Sequence, residues 1–182
     1  MSAAPGLQAL PATGPTQQPL LNARLLPEFD ALRVERAVGL MGTEVRILVL
    51  DAEPLAAEAA IAAAFAEMAR LEAMMTDWRD DSQLMQVNRA AGQRAVNVDR
   101  ELFDLIAAGV RAGHESDGAF DITWRSAGRL WDFKAQPPRL PDAAAIAAAL
   151  PRIGFRQVAL DPATRSVALP AGVQIGLGGI AK

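Results

Sequence analysis

Between Glu44 and Met75 the apolar pattern of this 182-residue chain changes period, and that change limits the folds open to it. Val45, Ile47 and Val49 alternate with Glu44, Arg46 and Leu48, the two-residue period of a strand with one covered face. From Pro54 the spacing is helical: Ile61, Phe65, Met68, Leu71 and Met75 recur at steps of three and four among alanines. Pro54 suits a first helical turn, where its missing N–H costs nothing. Before both lies another β-rich run, Leu32 to Val38, separated from Glu44 by the glycine-containing stretch Gly39 to Thr43. The expectation is two strands joined across that connection, then a long helix.

Further along, Asp81 or Ser82 is placed to cap a short helix carrying Leu84 and Val87, and Gly92 to end it. A second amphipathic helix is expected from Asp99 to Ala112, with Leu102, Leu105, Ile106 and Val110 on one face, and a third in "PDAAAIAAAL", opened by Pro141. Past Pro151 come three short β-like pieces, "QVALD", "SVALP" and "VQIGL". Helices and strands do not alternate as repeated βαβ units, so the fold class is α+β with segregated elements. Residues 1–28, rich in Pro, Gly, Ala and Gln without periodicity, are expected to be a flexible N-terminal arm, and residues 29–182 the domain. The chain stops at Lys182, just after "GLGGIAK" begins what resembles a helix. The domain is therefore expected to be truncated on its C-terminal side, with Ile175, Leu177 and Ile180 on an exposed open face.

Composition removes several function classes. Lys and Arg number 18 against 21 Asp and Glu, with no basic run to track a phosphate backbone, so nucleic acid is not an expected partner. With no cysteine there is no disulfide, thiolate metal site or Cys nucleophile. His114 is the only histidine, which excludes a multi-His metal site within these residues; it is expected near the C-terminal end of a helix. No stretch reaches the roughly 18 apolar residues of a transmembrane helix, and the N-terminus lacks the pattern of a signal peptide.

Four stretches carry chemistry. In "GLGGIAK" the glycines let backbone approach a ligand closely, and N–H groups at a helix start favour a phosphate, although glycine-rich turns mostly serve geometry. "SDGAFDITWRSAGRLWDF" packs an Asp-Gly turn, Asp121, Thr123, Trp124 and Trp131 into one segment; the simplest reading is an Asp-capped turn with its aromatics in the core. Trp78 in "TDWRDDS" sits among charges, either as a half-exposed stacking surface or as a rim aromatic covering the core. Met41 fits either core filling or the wall of a site for a flat ring.

The order of these pieces is more specific than any one of them. "MGTEVRILVL", "MMTDWRDDSQLMQVNRAAG", "SDGAFDITWRSAGRLWDF" and "QIGLGGIAK" follow one another at spacings similar to those of the ApbE family, the FAD:protein FMN transferases, over roughly Val38 to Lys182. The resemblance implies an ApbE-like, T-fold-like α+β domain that moves FMN from FAD to a Ser or Thr hydroxyl of an acceptor protein, releasing AMP, with Mg²⁺ required. A chain of this length is short for that activity. It implies flavin contacts from Met41, Trp78, Ala119, Phe120, Asp121 and Lys182, and a main-chain magnesium ligand at Gly179. The remaining metal ligands of the family lie beyond Lys182, and no general base is assigned. The implied partner is an acceptor flavoprotein with a Ser/Thr target motif, and the implied location is the periplasm or another exported site. Gly176 departs from the family, which commonly has Asp there. That departure keeps a second reading open, a flavin-binding or delivery accessory protein in redox-enzyme maturation that does not transfer FMN, and a third, a catalytically silent fragment.

Overall fold

A computed structural model describes residues 21–26, 31–51, 53–132, 135–137 and 139–181, with backbone alone for 21–26, 31–32 and 51. Residues 1–20 and 27–28 of the expected arm, and Lys182, lie outside the described residues. Two compact units, Met1–Ala69 and Arg70–Lys182, divide the chain within its long helix.

The first unit is an antiparallel sheet of β1 (Leu21–Leu26), β2 (Ala31–Leu40) and β3 (Thr43–Asp51), in that order. β1 falls within the stretch read as an arm; its backbone groups pair with those of β2, a stabilisation that the composition of "LNARLL" does not advertise. β2 and β3 run Leu40↔Thr43 to Leu32↔Asp51 about a two-residue turn. Met41 and Gly42 both take left-handed backbone, φ 53° and 71°, which matches the twist of a hairpin and suits glycine at the second place. The strands continue into α1 (Pro54–Met75). Alternation puts Val34, Ile47 and Val49 on one sheet face, where they pack with Ala57, Ile61 and Phe65 of the helix. The ion pair from Arg36 to Glu58, at 2.5 Å, ties the same two elements.

The second unit contains α2 (Gln83–Arg89), β4 (Val96–Asn97), α3 (Arg100–Glu115), α4 (Arg125–Gly128), α5 (Ala143–Ala149), β5 (Ala159–Asp161) and β6 (Ser166–Ala168). Its small antiparallel sheet has the order β4-β6-β5. Ser82 is the cap of α2, accepting from the Met85 N–H at 3.0 Å; Asp142, rather than Pro141, caps α5. Gly92 lies past the end of α2 with φ 75°. Leu84, Leu102, Ile106, Val167, Ile175 and Leu177 are fully buried in one core with the last turns of α1. Ile175 and Leu177, expected on an exposed face, are 0% and 1% exposed, because they fill the centre of this core among α2, α3 and β6.

Two expectations change in this unit. The buried stripe of α3 runs through Gly109 and Gly113 as well as Leu102 and Ile106, while Leu105 and Val110 are only partly covered. A Cβ at Gly109 would sit 2.7 Å from Ile122, and one at Gly113 2.5 Å from the Phe155 ring, so both glycines are sites of close approach. The segment "VQIGL" is not a strand. Side chains do for its backbone what a neighbouring strand would: Asn88 accepts from the Ile175 N–H at 2.8 Å and donates to the Ile175 carbonyl at 2.9 Å. Ser126 accepts from the Gln174 N–H at 2.9 Å, and the Gly176 N–H donates to the Ile122 carbonyl at 2.9 Å.

Asn88 is 4% exposed, so its loss strands two buried backbone groups. Asn88→Ala is expected to cost roughly 2 to 4 kcal/mol of folding stability, read as a lower midpoint in denaturant titration with the slope unchanged. An unchanged midpoint contradicts this account of residues 173–177.

Candidate functional site

The second unit holds an open cleft of about 770 Å³. Its construction starts at the end of α3, where the chain must stop and reverse. The Asp117 N–H donates to the His114 carbonyl at 3.3 Å and the Gly118 N–H to the Gly113 carbonyl at 2.9 Å, closing the helix through left-handed Asp117 and Gly118 with φ 48° and 85°. Ser116 Oγ accepts from the Phe120 N–H at 2.9 Å. These bonds turn Ala119, Phe120 and Asp121 along the cleft, which all three line. His114 stands at the helix end as expected, exposed, its ring T-shaped to that of Phe155 with centroids 4.7 Å apart.

Asp121 is the fastener of the wall. Its Oδ1 accepts from the Thr123 N–H at 2.7 Å and the Thr123 hydroxyl at 2.6 Å, and its Oδ2 accepts from the Phe155 N–H at 2.9 Å. Thr123 Oγ1 in turn accepts from the Gly154 N–H at 2.7 Å. The Asp-capped turn at residues 122–124 is therefore as the simplest reading has it, but its aromatics are not core. Trp124 is 47% exposed, and its ring lies 4.9 Å from that of Trp131, tilted by 42°, as an aromatic wall.

Glycine backbone forms the floor. A Cβ at Gly179 would approach Phe120 to 3.1 Å, whereas one at Gly178 would meet nothing within 4 Å. The Ile180 and Ala181 N–H groups both donate to the Leu177 carbonyl, at 2.9 and 2.8 Å, a first helical turn. Among the described residues the Gly178 and Gly179 N–H groups have no acceptor.

At the rim, Trp78 is 90% exposed, so it is not an aromatic covering the core. The residue before it, Asp77, is paired through its carboxylate with Arg125 Nη1, and Arg125 Nη2 donates to the Asp77 carbonyl at 2.9 Å. Burial pulls the Arg125 guanidinium down from its ordinary value, against the opposing pull of the Asp77 charge. Sequence reading did not find this pair: each member lies in one of the quoted stretches, but they are 48 positions apart and nothing local links them. Asp80 and Asp81 are exposed, with Asp81 held by Arg79 rather than capping α2.

Of the residues expected at a flavin site, Trp78, Ala119, Phe120, Asp121 and Gly179 come together in this cleft. Met41 belongs to the first unit, in the turn between β2 and β3, and Lys182 lies outside the described residues. No group of three His, Cys, Asp or Glu among the described residues could hold a metal ion, and both Asp121 oxygens already accept hydrogen bonds.

An aromatic-walled, glycine-floored open cleft has the shape and chemistry to take a flat small molecule with a polar or anionic end. Comparison with known proteins gives it a family. The ApbE family profile matches residues 41–182. A protein named FAD:protein FMN transferase from Treponema pallidum (strain Nichols) is 35% identical over 155 residues, 81% of this chain and 42% of its own length. One of the same name from Klebsiella pneumoniae (strain 342) is 36% identical over 120 residues, 65% of this chain and 34% of its own. The crystal structure of the ApbE protein from Thermotoga maritima superposes with a TM-score of 0.72 at 31% identity, covering 82% of this chain and 48% of that one. The chain belongs to the ApbE family, and its fold is that of the family. It spans less than half the length of these relatives.

Asp121→Asn keeps the size of the side chain but places an NH₂ where an acceptor is required, opposing either Thr123 or Phe155. The expected loss is about 1 to 3 kcal/mol, measured by chemical denaturation. Full stability in the variant would show that the three contacts do not hold the wall.

Proposed function

We propose that this chain is the flavin-binding portion of an FAD:protein FMN transferase, a Mg²⁺-dependent enzyme that moves FMN from FAD to a Ser or Thr hydroxyl of an acceptor protein and releases AMP. The observation that carries the reading is the cleft, with tryptophans on wall and rim over a floor of glycine backbone. An isoalloxazine ring is flat and largely apolar, which suits stacking on indole. A pyrophosphate suits the unpartnered N–H groups of Gly178 and Gly179 and the cation of Arg129, which lines the same cleft without an ion-pair partner among the described residues. The names of the relatives point to the same donor and the same transfer.

In that reaction the acceptor oxygen bonds to the FMN phosphorus and the bridging P–O bond of FAD breaks. AMP carries away the released charge, and the hydroxyl proton passes to a base. This chain's part is to bind and orient the donor; none of its described residues is assigned as the base. The described residues do not by themselves make a magnesium site. Gly179 would offer a main-chain carbonyl, and the family resemblance implies that the other ligands come from sequence outside these residues. An exported or periplasmic location is part of the proposal and rests on the family resemblance; among the described residues no helix is long and apolar enough to cross a membrane.

One observation favours a second reading. Gly176 supplies no carboxylate to the cleft, which suits a protein that binds or delivers flavin to redox enzymes without transferring FMN. Incubation of the protein with FAD, Mg²⁺ and an acceptor bearing a Ser/Thr target motif separates the two. Gain of the FMN mass on the acceptor, read by intact mass spectrometry, is expected for the transferase; flavin bound with no mass gained is the outcome for the accessory protein.

Two binding outcomes follow from the cleft. Titration by flavin fluorescence is expected to give tighter binding of FAD than of riboflavin, which lacks the pyrophosphate; equal affinities would remove the glycine floor from the site. Trp78→Ala is expected to weaken FAD binding by about 1 kcal/mol, with folding stability nearly unchanged because the ring is 90% exposed. Loss of stability with FAD affinity intact would refute the stacking role.

A further inference from the structure

We propose that Arg125 is a positioning residue: by gripping Asp77 it fixes the direction in which Trp78 stands on the cleft rim. The proposal rests on the reading of this cleft as a flavin site.

A tryptophan 90% exposed has little packing of its own to hold it. Its order has to come from the backbone, and the backbone on its N-terminal side is held at both ends. The peptide joining Asp77 to Trp78 has its carbonyl bonded by Arg125 Nη2 at 2.9 Å and its N–H bonded to Thr76 Oγ1 at 3.2 Å. The Thr76 carbonyl accepts from Ser82 Oγ at 2.6 Å, and Ser82, 2% exposed, is the cap of α2. The Asp77 carboxylate is held by the other Arg125 nitrogen, Nη1.

The far end of this grip belongs to the Asp121 wall. Arg125 follows directly on the turn capped by Asp121, so the rim that carries Trp78 and the wall that carries Trp124 are joined through one side chain. The pair is drawn out of water, with side-chain exposures of 11% for Arg125 and 24% for Asp77. Arg125 Nε is buried without an acceptor, so the guanidinium is oriented for its two Asp77 contacts and not for full satisfaction of its donors. Gly176 leaves the room: a Cβ there would lie 3.4 Å from both Arg125 Cβ and Asp77 Oδ2, and a longer side chain would enter the pair. A lysine ammonium, a point donor on a flexible stem, lacks the planar fork that reaches carboxylate and carbonyl together.

The test uses the whole protein labelled with 5-fluorotryptophan, whose three tryptophans give three fluorine resonances, Trp78 being assigned from Trp78→Phe. Without ligand, Arg125→Lys and, independently, Asp77→Asn are expected to shift and narrow the Trp78 line as the ring gains freedom. With FAD, Arg125→Lys is expected to raise Kd about fivefold in the native background and little in a Trp78→Ala background, the non-additivity of residues acting through one another. A Trp78 line unmoved in both variants overturns the proposal, as does an equal rise in Kd with and without Trp78. If the native protein fails to bind FAD, the flavin reading falls, while the fluorine lines still decide whether Arg125 positions the ring.

Discussion

Three hydrogen bonds to one carboxylate hold the cleft of this protein in shape. Asp121 ends the turn that leaves α3, fastens Thr123 through both backbone and hydroxyl, and reaches across to the backbone of Phe155. Thr123, 0% exposed, extends the same network to Gly154. Three hydrogen bonds use most of the acceptor capacity of this carboxylate, and its place among the lining residues is that of a frame. The aromatic side chains around it are then free to face the opening.

Close approach is the second constraint. Gly113 lets the Phe155 ring lie on α3, Gly109 does the same for Ile122, and Gly179 brings the floor against Phe120. At Gly109 and Gly113 a Cβ would not fit, and at Gly179 it would crowd the Phe120 ring. The cleft wall is thus pressed onto α3 at two points, which makes the helix a rigid back for the Asp121 segment. The segment leading into the floor, residues 173–177, has its backbone bonded to Asn88, Ser126 and Ile122, so core and wall share partners with the chain that reaches the floor.

An open cleft with an exposed indole at its rim is suited to a ligand that must also be reached by a second molecule. A cofactor held for life is usually enclosed, whereas a donor that gives up part of itself to another protein needs one accessible side. The Asp77–Arg125 pair supplies order at that exposed edge without covering it.

Some of this was legible in the sequence. The period change between Glu44 and Pro54 marks β3 and α1 because side-chain spacing is a local property of strand and helix, and it survives folding unchanged. Ser82 as a cap and the Asp-Gly turn at 117–118 are local for the same reason. So is the order of motifs that places Trp78, Phe120, Asp121 and Gly179 in one family pattern. Tertiary structure alone decided the rest. "VQIGL" has the composition of a strand, but Asn88 and Ser126 side chains and the Ile122 carbonyl, all distant in sequence, bond its backbone, and Ile175 and Leu177 are buried by elements that no local window contains. "LNARLL" is a strand because β2 lies beside it. The aromatics of the DITW segment face a cleft because Asp121 is held by Phe155, 34 positions away, and Trp78 stands at its rim beside an Asp held by Arg125, 48 positions on. Local patterns fix which face of an element is apolar; which partner meets that face, and which polar group satisfies a backbone left without a strand, is settled only when residues far apart in the chain are brought together.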